Sequence, residues 1–222
     1  MRGRYDDLVL NIYQLDDVYA GFDHTKYPLD LQGWRSQHPI FAELIPRYRP
    51  RSIIEVGTWK GGSAIHMAGL TREHCPGARI ICVDTWLGAQ NFLFPEAYAD
   101  VDLRRVHGWP MVYYQFLANV CHTGNQDIIV PFPTTSVIAA RFLAAGGHRF
   151  DMIYIDGSHD THDVYNDLEH YLPLLRPGGV IFGDDYDMSS VAAAVDVFVS
   201  AHKCPFRVTP DGVMWVSEGQ PR

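Results

Sequence analysis

Ser52-Ile53-Ile54-Glu55-Val56-Gly57-Thr58-Trp59-Lys60-Gly61-Gly62-Ser63 is the stretch on which the fold turns. The run Ser52–Val56 reads as a strand, and Gly62–Leu70 beyond the glycines reads as a helix. Strand, glycine-rich turn and helix in that order open a βα unit. The form is E-x-G-x-x-x-G-x-S. Gly57 permits a sharp turn, and Gly61 allows close backbone approach. Dinucleotide-binding turns instead favour G-x-G-x-x-G, with a pyrophosphate at the helix N-terminus. Here Trp59 interrupts that spacing, and Glu55 places a carboxylate at the end of the strand.

Beyond this stretch, short β-branched runs alternate with amphipathic segments, the pattern of a parallel sheet covered by helices. Arg79–Val83 predicts a second strand ending at Asp84. Asp127–Val130 predicts a third, closed by Pro131 and Pro133. Thr134–Ala145 reads as a helix with Thr135 or Ser136 near its cap, and Asp151–Ile155 as a fourth strand. Val164, Leu168, Tyr171, Leu172 and Leu175 form one apolar stripe at helical spacing, with Pro177-Gly178-Gly179 as its stop. Gly179–Gly183 predicts a fifth strand running into Asp184 and Asp185, and Val191–His202 a further helix. Phe206–Val208 and Val213–Val216 flank Pro210-Asp211-Gly212 and read as a closing antiparallel hairpin. The fold class is α/β.

Residues 1–50 form an aromatic-rich cap or lid segment before the main domain, 51–222. They carry Tyr5, Tyr13, Tyr19, Phe22, Tyr27 and Trp34. Residues 85–126 are longer than one crossover needs and hold Trp86, Phe92, Phe94, Trp109, Tyr113 and Tyr114. Such additions near strand ends form lids or substrate walls, or simply cover the core or a homo-oligomer interface. The 222-residue chain is 47% hydrophobic and 20% charged, ordinary for a globular domain able to bury a core. Its net charge of −8 argues against sequence-independent nucleic-acid binding. Cys75, Cys82, Cys121 and Cys204 show no CxxC spacing, which fits a reduced, cytoplasmic protein. The first residues lack an apolar leader, and no apolar run is long enough to span a membrane.

S-adenosylmethionine (SAM) has no phosphate but carries an α-amino group and a sulfonium. A carboxylate such as Glu55 suits that cation. Asp84, 22 residues beyond Gly62, stands where an acid accepts ribose hydroxyls. A glycine loop also recurs as a plain tight turn, and Asp84 also reads as a helix cap. Asp156 ends the fourth strand, and Asp184 and Asp185 end the fifth. Parallel strands point these carboxylates into one crevice, where their repulsion calls for a hard cation such as Mg²⁺. Alternatively, Asp184 caps the next turn and Asp185 is solvated. His159, three residues after Asp156, is a candidate general base, with His162 as a decoy or alternative ligand.

EVGTWKGGS, CVDTWLG and IYIDGSHDTHDVYNDLEHYLPLLRPGGVIFGDDY together resemble class I SAM-dependent methyltransferases over about residues 50–200. They are most similar to the metal-dependent macrocin-type and rhamnosyl sugar O-methyltransferases and the cephalosporin-hydroxylase-like group. The resemblance implies a Rossmann-like three-layer sandwich with a seven-stranded, mostly parallel sheet. It implies that Glu55, Gly57 and Ser63 line the methionine part of SAM; Thr58 and Gly61, in the same turn, are cofactor-binding candidates beside them. Asp84 would hold the ribose, and Ser136 would lie near the adenine. Asp156, Asp184 and Asp185 would hold Mg²⁺; the catalytic candidates, His159 with Asp156, rest on the Asp156-Gly157-Ser158-His159 context rather than on the resemblance.

The reading that follows is methyl transfer to a hydroxyl of a sugar or small natural product. Its rivals are a metal-independent N- or C-methyltransferase, a non-catalytic SAM-binding protein and a nicotinamide-dependent oxidoreductase. The glycine spacing and the C-terminal hairpin argue against the last.

Overall fold

The computed structural model describes residues 12, 17–93 and 101–218. Tyr5, Tyr13 and Phe94 lie outside the described residues. Seven strands form one sheet in the order β3-β2-β1-β4-β5-β7-β6. They are β1 (Ser52–Val56), β2 (Arg79–Asp84), β3 (Ile129–Pro133), β4 (Phe150–Ile155), β5 (Leu175–Gly183), β6 (Phe206–Val208) and β7 (Trp215–Glu218). The first five are parallel, while β7 runs antiparallel to both β5 and β6. The expected hairpin is present, and its second strand is the one inserted against β5.

Because successive side chains of a strand face opposite ways, each buried strand feeds two cores. Ile53, Ile80, Met152, Tyr154 and Phe182 face one side, beneath α1 (Pro39–Tyr48), α2 (Gly62–His74) and α3 (Val112–His122). Ile54, Val56, Ile81, Ile153 and Ile181 face the other, beneath α4 (Ser136–Ala145), α5 (Thr161–Tyr171) and α6 (Ser189–His202). This is the helix-covered sheet that the alternation predicted, in the three-layer form that the resemblance implied. No described helix is long and apolar enough to cross a membrane.

Several boundaries differ from the sequence reading: the helix after the glycine-rich turn runs on to His74, the second hairpin strand is Trp215–Glu218 rather than Val213–Val216, and two further shifts have a clear physical cause. Pro131 and Pro133 do not close β3; they lie within it, opposite Cys82 and Asp84. The strand is at the sheet's edge, where a missing N–H disturbs only the solvent side of the ladder. The α5 stripe does not run to Pro177 either. The helix ends at Tyr171, a short 3₁₀ turn spans Leu172–Leu174, and β5 begins at Leu175, which pairs with Phe150. Sheet pairing captures Leu175 and the Pro-Gly-Gly segment that follows it.

Candidate active site

The turn after β1 passes directly over the end of β4. The Gly57 N–H donates to the Val83 carbonyl at 2.9 Å, and the Asp156 N–H donates to the Val56 carbonyl at 2.7 Å. Gly57 has φ +83°, and a Cβ there would lie 1.9 Å from the Asp156 carbonyl oxygen. Only glycine fits, so the turn and Asp156 are held backbone against backbone. Trp59, in the same turn, also has a positive φ of 51°.

Glu55 lies beneath this turn, fully buried. The register sets Cys82 on one side of it and Tyr154 on the other. The Ser63 and Thr58 hydroxyls both donate to its carboxylate. Burial pushes the Glu55 carboxyl up to about 7, although those bonds pull the other way. Asp84 fastens the turn from the side. Its Oδ2 accepts the backbone N–H groups of Thr58 at 2.9 Å and Trp59 at 2.8 Å. Its Oδ1 accepts that of Trp86 at 2.7 Å. A carboxylate offers about four lone-pair sites, so most of its acceptor capacity is engaged within the protein. Gly61, with φ +86°, caps α2, against the Phe116 ring.

Ser136 stands apart from this group. Its hydroxyl bonds Asp167 of α5, and its carbonyl accepts the Tyr171 Oη at 2.9 Å. Burial raises the Asp167 carboxyl to about 6.

Asp156, Asp184 and Asp185 do converge. One carboxylate oxygen from each lies within 4.8 Å of the other two. Gly183 contributes to this: Trp215 packs where a Cβ would be, at 2.5 Å, so the chain enters Asp184 flush against the sheet. Asp185 follows with φ +60°, in the left-handed region, a strain typical of functional sites. Burial drives the Asp156 carboxyl well above the usual carboxylate range, and the charges of Asp184 and Asp185 add to that. Burial and the neighbouring Asp185 raise Asp184 in the same direction. Tyr154 Oη donates to Asp156 Oδ2 at 2.9 Å. His159 Nε2 lies 2.9 Å from Asp185 Oδ2, and that bond raises the imidazole's pKa. His162, by contrast, is exposed on α5.

Three participants escaped the sequence reading. Tyr154 was legible, since it sits two residues before Asp156, at the carboxyl end of β4. Asp187 lay in the Asp-Asp-Tyr-Asp run. Arg35 gave no signal at all. Its Nη1 lies 3.0 Å from Asp184 Oδ1 and 2.9 Å from Asp185 Oδ1, while its Nη2 lies 2.8 Å from Asp187 Oδ2.

Arg35 arrives on a strap, residues 28–38, laid over the glycine-rich turn. Lys60 Nζ reaches Asp30 at 2.7 Å, and Trp59 Nε1 donates to Gln32 at 3.1 Å. The buried Asn119 side chain bonds both the N–H and the carbonyl of Asp30, as well as the Lys60 carbonyl. Trp34 stacks on Phe92 at 5.9 Å, which meets Trp59 at 4.9 Å.

Residues 54–186 match a family model described as a methyltransferase domain, and the chain belongs to that family. The fold is the Rossmann-like one of SAM-dependent class I methyltransferases. The 8-demethyl-8-(2,3-dimethoxy-alpha-L-rhamnosyl)-tetracenomycin-C 4'-O-methyltransferase of Streptomyces olivaceus is 33% identical over 155 residues, covering 66% of this chain and 57% of that protein. An uncharacterized protein of Sinorhizobium fredii is 25% identical over 155 residues, 70% of this chain but 15% of its own length. The chain thus spans about half of one relative and a small part of the other. The O-methyltransferase TomG from Streptomyces achromogenes, involved in tomaymycin synthesis and solved in complex with SAM, superposes with a TM-score of 0.57. That match covers 99% of this chain and 91% of TomG at 16% identity, a likeness of fold.

Proposed function

We propose that this protein is a cytoplasmic O-methyltransferase that transfers the methyl group of SAM to a hydroxyl of a sugar or small natural product. The observation that carries this reading is the meeting of the glycine-rich turn with Asp156, Asp184, Asp185 and His159 at the carboxyl ends of β1, β4 and β5. Ligands of open α/β sheets bind at that edge, where the strand order reverses between β1 and β4. The four cysteines are unpaired, in keeping with a reducing compartment.

Glu55, Gly57, Thr58, Gly61 and Ser63 are the groups for the methionine end of SAM, Asp84 for the ribose and Ser136 for the adenine side. Glu55 supplies a carboxylate for an ammonium, and Asp84 holds the turn in the shape that presents its backbone. SAM, when bound, supplies an electrophilic methyl group whose transfer requires in-line approach of the acceptor oxygen. His159, oriented by Asp185, is the group placed to take the hydroxyl proton. The Trp34, Trp59 and Phe92 rings offer an apolar wall for a sugar or ring face.

The donor set fits a hard divalent cation such as Mg²⁺, because all three converging groups are carboxylates and one oxygen from each lies within 4.8 Å of the others. Asp156, Asp184 and Asp185 would hold the ion, which would polarise a bound hydroxyl and lower its pKa. The Arg35 contacts favour a second reading, transfer without a metal, because a guanidinium already neutralises two of the three carboxylates.

The test is transfer of labelled methyl from SAM to a panel of glycosides and hydroxylated small molecules, with EDTA or with Mg²⁺. Metal-stimulated O-methylation is the expected result. Equal turnover in both conditions selects the metal-free reading. Absence of SAM binding by calorimetry refutes both.

A further inference from the structure

Carboxylates crowded together out of water stay charged only where a cation offsets them. In this protein one is built in. Arg35 Nη1 bridges Asp184 Oδ1 and Asp185 Oδ1 at 3.0 and 2.9 Å, and the Asp184 side chain is only 4% exposed. A divalent ion held by Asp156, Asp184 and Asp185 would bind about 2.1 Å from its oxygens. Arg35 already engages Oδ1 of both Asp184 and Asp185, and a second cation so close to its guanidinium is strongly repelled.

Arg35 nevertheless has somewhere to go. Its Nη2 bonds Asp187 Oδ2 at 2.8 Å, and Nη1 is 3.3 Å from Asp187 Oδ1. Asp187 is not part of the trio and is more exposed than Asp184 or Asp185, at 43%. A planar guanidinium can keep a carboxylate fork while its other contacts break.

We propose that Arg35 and a divalent cation compete for Asp184 and Asp185. Arg35 is the resident counter-ion, and Asp187 holds its guanidinium when the cation enters. This rests on the metal-binding reading of the site. Arg35 therefore sets the affinity of the site: the cation must displace two charge-assisted hydrogen bonds before it can bind.

Mn²⁺ titration of the full chain, with free Mn²⁺ followed by electron paramagnetic resonance, tests this without turnover. Arg35→Met should bind Mn²⁺ at least about tenfold more tightly than wild type, since a hydrogen bond between charged groups is worth roughly a tenfold change or more. Arg35→Lys keeps the charge but loses the fork and should fall between the two. Asp184→Asn in the Arg35→Met background should abolish the gain, which places the ion at this site. Asp187→Asn should weaken Mn²⁺ binding more in wild type than in Arg35→Met. Equal Mn²⁺ affinity in wild type, Arg35→Lys and Arg35→Met overturns the competition while leaving the metal site standing. Failure of all three to bind Mn²⁺ overturns both. Arg35→Lys covers the case in which Arg35→Met does not fold.

Discussion

Replacing Glu55 with glutamine should stabilise the ligand-free protein at alkaline pH and leave it unchanged in mild acid. Glu55 is fully buried between Cys82 and Tyr154, and burial raises its carboxyl from the ordinary 4.5 to about 7. Unfolding returns the group to water, where it ionises near its ordinary value. Between those two values unfolding releases a proton, so stability falls as pH rises across the window and levels off above it. At about 1.36 kcal/mol per tenfold change in ionisation, the full loss is roughly 3 kcal/mol. Glutamine has nearly the shape of the protonated acid. It still accepts from one of the Ser63 and Thr58 hydroxyls and can donate to the other. Urea unfolding of both proteins at about pH 4 and about pH 8 measures the effect, and the other titrating groups cancel in the comparison. The curves should nearly coincide in acid and separate by roughly 3 kcal/mol in base. A gap that does not change with pH, or a variant less stable at high pH, would refute the reasoning. The same substitution should weaken SAM binding, a gain in stability at the cost of function.

Gly57→Ala should cost at least about 3 kcal/mol, because it adds a left-handed strain to a backbone overlap that no rotamer relieves; thermal melting reads it. Asn119→Ala should cost about 2 kcal/mol in denaturant unfolding, since it leaves the Asp30 and Lys60 backbone groups without their buried partner. It should also speed amide hydrogen exchange across residues 28–38. Trp34→Ala, at a position 48% exposed, should shift stability by no more than about 1 kcal/mol while raising the acceptor KM. An unchanged KM would remove Trp34 from the acceptor wall.

Much of this protein was legible in its sequence because strand and helix periodicities are local. Ser52–Val56, the Val164–Tyr171 part of the α5 stripe and the Pro210-Asp211-Gly212 turn declared themselves through residue type and spacing. The acidic ends of β4 and β5 could be matched because parallel strands must end on the same edge. The sequence could not say that Pro131 and Pro133 would sit inside β3, since that depends on the strand lying at the sheet's edge. It could not tell whether Glu55 would stand beside the turn or beneath it, since that depends on which face the sheet register gives it. Least of all could it place Arg35, which lies 149 residues from Asp184 and meets it only because the strap crosses the glycine-rich turn. Periodicity encodes which way a side chain faces along its own element. The charge that neutralises a buried cluster is fixed by how distant segments pack, and only the tertiary structure decides it.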